Sequence, residues 1–379
     1  MVKRVCKIAF VFGTRPEAIK LAPVLLEMQR RPDRFESRIW LTAQHRQMLD
    51  QVMSTFNLKA DRDFNIMRDD QSLTGVTGAV LEALEKAFAE ERPDGIIVQG
   101  DTTTVFAAAL AAYYAQIPVG HVEAGLRTDN KYSPFPEEMN RRLTTRLTDF
   151  HFAPTESARR NLLAEGIDPK RIWVTGNTVI DALDIIVKRV RARRPAMPAD
   201  FPRGILEGAE RMVLITGHRR ENFGAGFESI CRAIAELARR YPDTQFVYPV
   251  HLNPQVRKPV FTLLCGYANI SLMEPLDYEQ FVWAMERCYF LLSDSGGVQE
   301  EAPHLGKPVL VMRAVTERPE ALAAGLAKLV GVDYETIVGE ACRLMEDSAA
   351  YAAMSRAQNP FGDGRASLRI ADVLAEKLS

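Results

Sequence analysis

Cysteine is scarce in this 379-residue chain, and its placement excludes more than it offers. The five cysteines (Cys6, Cys231, Cys265, Cys288 and Cys342) are dispersed, odd in number and without a CxxC pair, which fits reduced thiols rather than a disulfide frame or a zinc site. No GxGxxG fingerprint, GxxxxGK[ST] loop, HExxH helix or GxSxG elbow occurs, and Gly306-Lys307-Pro308 lacks the hydroxyl residue that a phosphate loop needs. Redox and ATP chemistry lose support, and neither a cofactor nor a metal is expected. There is no long basic run, and a net charge of -1 argues against nucleic acid or a membrane surface as partner. Met1 to Lys7 passes straight into a short apolar strand interrupted by charge, so neither a signal peptide nor a membrane span is expected, and the location expected is cytoplasmic.

What is present is an ordinary globular composition, 47% hydrophobic and 26% charged, in a chain longer than one core usually supports. Strand and helix patterns alternate from the start. Lys7 to Phe12 reads as a buried strand, Pro16 to Arg30 as a helix and Ser37 to Leu41 as a strand. Gly95 to Gln99, Pro118 to Val122, Asp149 to Ala153 and Ile172 to Val174 continue the strands, with amphipathic helices between them. After a helix from Val179 to about Arg193, the proline-dense stretch Arg194 to Pro202 is a candidate linker. A second series follows, with strands at Met212 to Thr216, Gln245 to Pro249, Asn269 to Leu272, Tyr289 to Leu292, Pro308 to Val311 and Lys328 to Val330. Strands separated by helices imply parallel sheets covered on both faces, so the class is α/β with two doubly wound, Rossmann-like domains. The expected division is residues 1–175 plus 362–379 for the first domain, with the last helix returning to it, and 176–361 for the second.

Ligands of such sheets bind beyond the carboxyl ends of the strands, where the polar residues here gather. Ser293-Asp294-Ser295-Gly296-Gly297-Val298-Gln299-Glu300-Glu301 reads as strand end, glycine turn and helix start. The first N–H groups of that helix suit a phosphate, and Glu301 one turn later suits sugar hydroxyls; the plainer reading has Ser and Asp capping the helix. Arg15, at a helix start behind Gly13-Thr14, and Lys20 a turn later form a possible diphosphate clamp, since positive charge is otherwise disfavoured at that helix end. Asp101 follows Val98-Gln99-Gly100 and reads equally as a catalytic acid or as the cap of the next helix. Glu123 ends an apolar strand, where a charge is costly unless used, and Glu137 and Glu138 open a helix. Three carboxylates near one site can divide acid and base roles. His218, beside Arg219, Arg220 and Asn222, suits stabilisation of a departing phosphate oxygen; His251 is weaker, and His45, His121, His151 and His304 read as structural or peripheral.

Seven ordered motifs carry a resemblance across nearly the full length. They are Gly13 to Glu17, Gly100 to Thr102, His121 to Arg127, Pro136 to Arg141, Gly217 to Asn222, Ser293 to Glu301 and Thr316 to Glu320. With them the chain resembles the non-hydrolysing UDP-N-acetylglucosamine 2-epimerases of the bacterial type. The resemblance implies a glycosyltransferase-B architecture with an interdomain cleft, and reversible epimerisation of UDP-N-acetylglucosamine to UDP-N-acetylmannosamine through elimination and re-addition of UDP. It places UDP on the second domain, with Ser295, Gly296 and Gly297 at the phosphates, Glu301 at the ribose, Arg318 nearby and Leu276 to Phe281 around uracil. Arg15, Lys20, Asp101, Glu123, Glu137 and His218 match catalytic and sugar-side positions. A homodimer is implied as well, and Gln44, Gln47, Glu138, Arg219 and His251 are compatible with a second, activating sugar nucleotide. That pattern expects a basic residue before Gln71, where this chain has Asp70, with Arg68 two places away. A hydrolysing epimerase, a glycosyltransferase of this architecture and a non-catalytic nucleotide-sugar sensor are the rival readings.

Overall fold

The computed structural model describes residues 4–42, 46–66, 71–208, 211–356 and 359–378. The chain divides into two compact units, Met1–Ile185 with Phe361–Ser379, and Ile186–Pro360.

In the first unit β1 (Cys6–Phe12), α1 (Arg15–Gln29), β2 (Phe35–Leu41), α2 (Arg46–Thr55) and β3 (Arg62–Asp63) come first. Then follow α3 (Leu73–Glu90), β4 (Gly95–Gln99), α4 (Thr103–Tyr114), β5 (Val119–Val122) and α5 (Glu137–Leu147). β6 (Phe150–Ala153), α6 (Glu156–Ala164), β7 (Ile172–Val174) and α7 (Thr178–Ala192) close the series. The seven strands are parallel in the order β3-β2-β1-β4-β5-β6-β7. β1 and β4 read as continuous apolar runs because both faces of the sheet are covered. One face is filled by Val76, Val80 and Leu84 of α3 and the alanines of α4, whose small side chains let the two helices lie close. The edge strand β3, two residues long, is too short to leave a periodic trace in the sequence.

The second unit opens with α8 (Arg203–Leu206), β8 (Arg211–Thr216), α9 (Ala225–Arg240), β9 (Thr244–Pro249) and α10 (Pro254–Leu264). It continues through β10 (Ile270–Met273), α11 (Tyr278–Arg287), β11 (Phe290–Ser293), α12 (Gly296–His304) and β12 (Val309–Val311). α13 (Pro319–Ala323), β13 (Ala327–Leu329), α14 (Tyr334–Glu346) and α15 (Ser348–Ser355) complete it. Its six strands, also parallel, run β10-β9-β8-β11-β12-β13. Phe227, Ile230 and Ile234 of α9 pack on Phe246, Tyr248 and Phe290 of the sheet. Both units are therefore doubly wound, as the alternating pattern requires.

The proline-dense stretch is not where the chain changes unit. The first crossing lies inside α7, between Ile185 and Ile186, and Arg194 to Pro202 belongs wholly to the second unit. There Phe201 is buried edge-on against Trp283, Gln280 donates to Ala196 O and Arg194 donates to Leu206 O. Proline density marks where a helix must stop, and the stretch is fastened down by side chains far along the sequence. The second crossing, at Pro360–Phe361, lies in the run before the last helix, α16 (Ala366–Lys377).

α16 is held in the first unit through α7. Asp181, buried in that helix, accepts from Ala366 N (3.1 Å), Ser367 N (2.8 Å) and Ser367 Oγ (2.5 Å), and so caps α16 from another element. Beside it Asn177 N donates to Phe361 O at 2.7 Å. The backbones meet at two glycines, where a Cβ on Gly176 would lie 3.3 Å from Gly362 Cα. Asp181→Ala leaves buried N–H groups unpaired and is expected to cost about 2–3 kcal/mol of unfolding free energy, measured by denaturant titration.

His121 of β5 and His151 of β6 are cross-strand partners, both buried. His121 Nε2 lies 2.7 Å from Gly100 O, whereas neither nitrogen of His151 has a hydrogen-bond partner among the described residues. Burial holds both rings neutral, lowering the pKa to about 4 for His121 and about 3 for His151. The unfolded chain takes up these protons near pH ~6.5, so it is favoured as the pH falls below that value. Each ring then removes about 1.4 kcal/mol of stability per pH unit. His151→Leu is expected to flatten the loss of unfolding free energy between about pH 6 and about pH 4.5, inside the window where only the unfolded ring titrates; an unchanged slope would contradict the assignment.

Candidate functional site

Strand order reverses between β1 and β4 in the first unit and between β8 and β11 in the second. At such reversals the crossovers leave the sheet in opposite directions and open a crevice at the carboxyl ends. The motif-bearing turns after β1, β4, β8 and β11 all lie there.

In the first unit Thr14 caps α1 and forms a capping box with Glu17. Glu17 is fully buried, its carboxylate accepting from Gly13 N (2.9 Å), Thr14 N (2.7 Å) and Thr102 Oγ1 (2.6 Å), and burial pushes its pKa up. It thus ties the turn after β1 to the turn after β4. Arg15 is half-buried at the first position of α1 and makes no hydrogen bond or ion pair with the described residues. Lys20, a turn further on, meets Glu123 Oε1 at 2.5 Å.

Glu123 is the most constrained acid. It follows β5 with a left-handed backbone (φ 66°), unusual for a residue with a side chain. Oε1 also accepts from Asn177 Nδ2 (2.9 Å) and Oε2 from Gln99 Nε2 (2.5 Å). The following Gly125 is required by geometry: its φ is 93°, and a Cβ would lie 2.3 Å from Ala158 O. Asp101 does not cap α4. Thr102 does, its Oγ1 accepting from Val105 N. The Asp101 carboxylate turns instead to Arg141 (2.9 Å to Nε, 2.7 Å to Nη2), and its carbonyl accepts from Asn140 Nδ2. Glu137 opens α5, the helix carrying Asn140 and Arg141, and its Oε2 is buried with no hydrogen-bond partner among the described residues.

Glu138 has a different place. It is fully buried, accepting from Thr128 N, Arg141 and Arg142 inside the unit. Gln44 and the side chain of Gln47 lie outside the described residues, as do His45, Arg68 and Asp70.

In the second unit neither Ser295 nor Asp294 caps α12. Ser295 N donates to Ser293 Oγ, and Ser295 makes no side-chain cap. Among the described residues the helix's first N–H groups have no side-chain acceptor. Gly296 and Gly297 have no positive φ, and a Cβ on either would meet only Arg219 Nη2 at 3.7 Å or Glu301 Oε2 at 3.8 Å. The fold therefore leaves room over this helix start, beside a guanidinium whose buried Nε has no partner among the described residues. This is an arrangement suited to a diphosphate. Glu301 is buried with Tyr278 Oη donating to Oε1 at 2.8 Å, and Arg318 is paired with buried Glu300. Leu276 is buried before α11 and Phe281 half-buried within it.

Asp294, fully buried, accepts at Oδ2 from His218 N (2.8 Å), Arg219 N (2.8 Å) and Asn222 Nδ2 (3.3 Å). The donors hold its pKa below the usual carboxylate value despite the opposing effect of burial. The His218 ring stacks on that of His251, with centroids 5.6 Å apart and planes at 22°. Burial and the neighbouring His218 lower the pKa of His251. A further link has no counterpart in the sequence reading: buried Arg313 binds Glu221 (2.6 Å) and Glu317 (2.7 Å), which pulls Glu317 down to about 2 and fastens the turn after β8 to the segment before α13. Only the charge pattern of these residues is visible in the sequence; their pairing needs the fold. Among the described residues no cluster of side chains could hold a metal ion, and no helix is long and apolar enough to cross a membrane.

Comparison with known proteins gives this arrangement a lineage. A family model described as UDP-N-acetylglucosamine 2-epimerase matches residues 26–375. The UDP-N-acetylglucosamine 2-epimerase of Escherichia coli K12 is 53% identical over 371 residues, covering 97% of this chain and 98% of the relative. That of Yersinia pestis is 54% identical over 370 residues, with the same two coverages. The crystal structure of UDP-GlcNAc 2-epimerase from Neisseria meningitidis bound to UDP-GlcNAc superposes with a TM-score of 0.89 at 49% identity, covering 98% of this chain and 100% of that one. On full-length sequence and fold alike, the chain belongs to the UDP-N-acetylglucosamine 2-epimerase family.

Proposed function

We propose that the protein interconverts UDP-N-acetylglucosamine and UDP-N-acetylmannosamine by inverting C2, without hydrolysis and without a cofactor. The observation that carries a catalytic reading over a binding one is Glu123. A carboxylate held in a left-handed backbone at a strand end, and oriented by Lys20, Gln99 and Asn177, is more constraint than nucleotide binding requires.

The chemistry follows from the sugar. C2 is not adjacent to a carbonyl, so its proton is too weakly acidic for direct removal. Cleavage of the C1–O bond, with the electron pair leaving on UDP, builds positive charge at C1 and acidifies the C2 proton. Loss of that proton gives 2-acetamidoglucal. Delivery of a proton to the opposite face of C2 and return of UDP to C1 completes the inversion, so acid/base groups must serve both faces. Asp101, Glu123 and Glu137 are the proposed acid/base groups, with Arg15 and Lys20 on the sugar–diphosphate side. The first turn of α12, Arg219 and His218 would carry the charge of the departing diphosphate. Glu301 would meet the ribose, the Leu276–Phe281 segment uracil, and Arg318 the same nucleotide pocket. Water must be kept from the glucal.

Incubation of UDP-N-acetylglucosamine with the protein in deuterated water is expected to return both nucleotide sugars labelled at C2. Net release of UDP with free N-acetylmannosamine would instead establish a hydrolysing enzyme, and turnover that needs an acceptor without C2 exchange a glycosyltransferase. Glu137→Gln should lower exchange by roughly 10²-fold or more with thermal unfolding little changed. Glu123→Gln should lower exchange by as much while also lowering the unfolding temperature, because it leaves the largely buried Lys20 without that carboxylate. Full exchange in Glu137→Gln would remove that residue from the mechanism.

A further inference from the structure

Asp294 belongs to the glycine-turn segment, yet nothing in the proposed chemistry uses it. Its side chain lies against the turn after β8. Oδ2 takes the backbone N–H groups of His218 and Arg219, while Oδ1 lies 3.2 Å from His218 Nδ1, within ion-pair distance, and has no hydrogen-bond partner among the described residues. The carboxylate is buried and ionised, and the imidazole is about two-fifths exposed. A buried carboxylate oxygen this close to a ring nitrogen repels a lone pair there, and the carboxylate has no proton to give, so the ring proton is favoured on Nδ1. His251 supports the ring from its face, and its own Nδ1 accepts from Asn253 N at 3.1 Å, which leaves its proton on Nε2. The stacked rings thus hold opposite tautomers.

We propose that Asp294 is a positioning residue for His218: it fixes the proton on Nδ1 and turns Nε2 outward as the nitrogen that takes up a proton and presents it, as imidazolium, to the leaving diphosphate. This rests on the reading of His218 given above. The same carboxylate sets the turn that carries Arg219 over Gly296, so one buried charge orients both cationic groups on that side. In the neutral ring the Asp294 contact decides which nitrogen is free; in the charged ring it compensates the cation without touching the substrate.

The proposal is tested on the whole protein by nitrogen-15 NMR of its histidine rings, with His218 and His251 assigned from His218→Gln and His251→Gln. At a pH where the rings are neutral, His218 should show the Nδ1–H tautomer and His251 the Nε2–H tautomer. Asp294→Asn keeps the shape, and its amide oxygen can still accept from the turn, but its NH₂ group faces Nδ1 as a donor. His218 should then change to Nε2–H and kcat for C2 exchange fall roughly 10²-fold, with KM moved far less. An Nε2–H tautomer for His218 in the unaltered protein overturns the proposal whether or not the variant folds. So does an Asp294→Asn protein with unchanged tautomer and unchanged kcat. Full exchange in His218→Gln instead removes the reading of His218 as a charge carrier, a result separate from the tautomer measurement.

Discussion

Parallel strands cannot be joined by tight turns, and from that constraint the rest of this molecule follows. Each connection must cross over through a helix, and each helix must begin near the carboxyl end of the strand before it. Where the strand order reverses, between β1 and β4 and again between β8 and β11, helix starts flank an opening. Polar backbone at such a place needs partners or ligands, and the sequence concentrates its unusual residues there: glycine, paired charge and carboxylates at strand ends.

The buried acids show how that arrangement is kept rigid. Glu17, Glu138 and Asp294 each accept at least two backbone or side-chain donors from neighbouring turns, while Glu300 is matched with Arg318. A carboxylate taken out of water is tolerable only with such a full set of donors, and having it, fixes the relative positions of the segments that supply them. Glu123 is satisfied in the same manner but sits in a strained backbone, and Glu137 retains an oxygen without a partner among the described residues. Within the first unit the acids thus divide into those whose oxygens are all engaged and Glu137, which keeps one without a partner among the described residues.

Much of this is legible in the sequence, and what is not has a common cause. Periodicity exposes the strands and helices of both units because the sheets are covered on both faces, giving unbroken apolar runs. The motifs mark the strand ends because glycine and charge interrupt those runs. Choice of partner is not legible, since it depends on which segments the fold makes neighbours. Asp101 looks like a cap because it precedes a helix, yet Thr102 holds that place and Asp101 reaches forty residues along to Arg141. Asn177 and Gln99 carry no mark of their own until Glu123 is seen between them. Composition misleads for the same reason at Arg194 to Pro202, where the burial of Phe201 against Trp283 decides which unit holds the proline-dense stretch.

The capping of α16 by Asp181 bears on how the chain is made. The first unit encloses the second in sequence: its sheet is encoded ahead of Ile186, but the helix that packs on α1 and places Leu378 O 3.1 Å from Cys6 Sγ is encoded after Pro360. Synthesis from the amino end therefore delivers the second unit as one continuous piece while the first still lacks a helix. A partly made first unit carries an uncovered apolar face and an unfilled carboxylate at Asp181, and only the last nineteen residues, Phe361 to Ser379, close it. Order of completion during translation is thus the reverse of order along the chain.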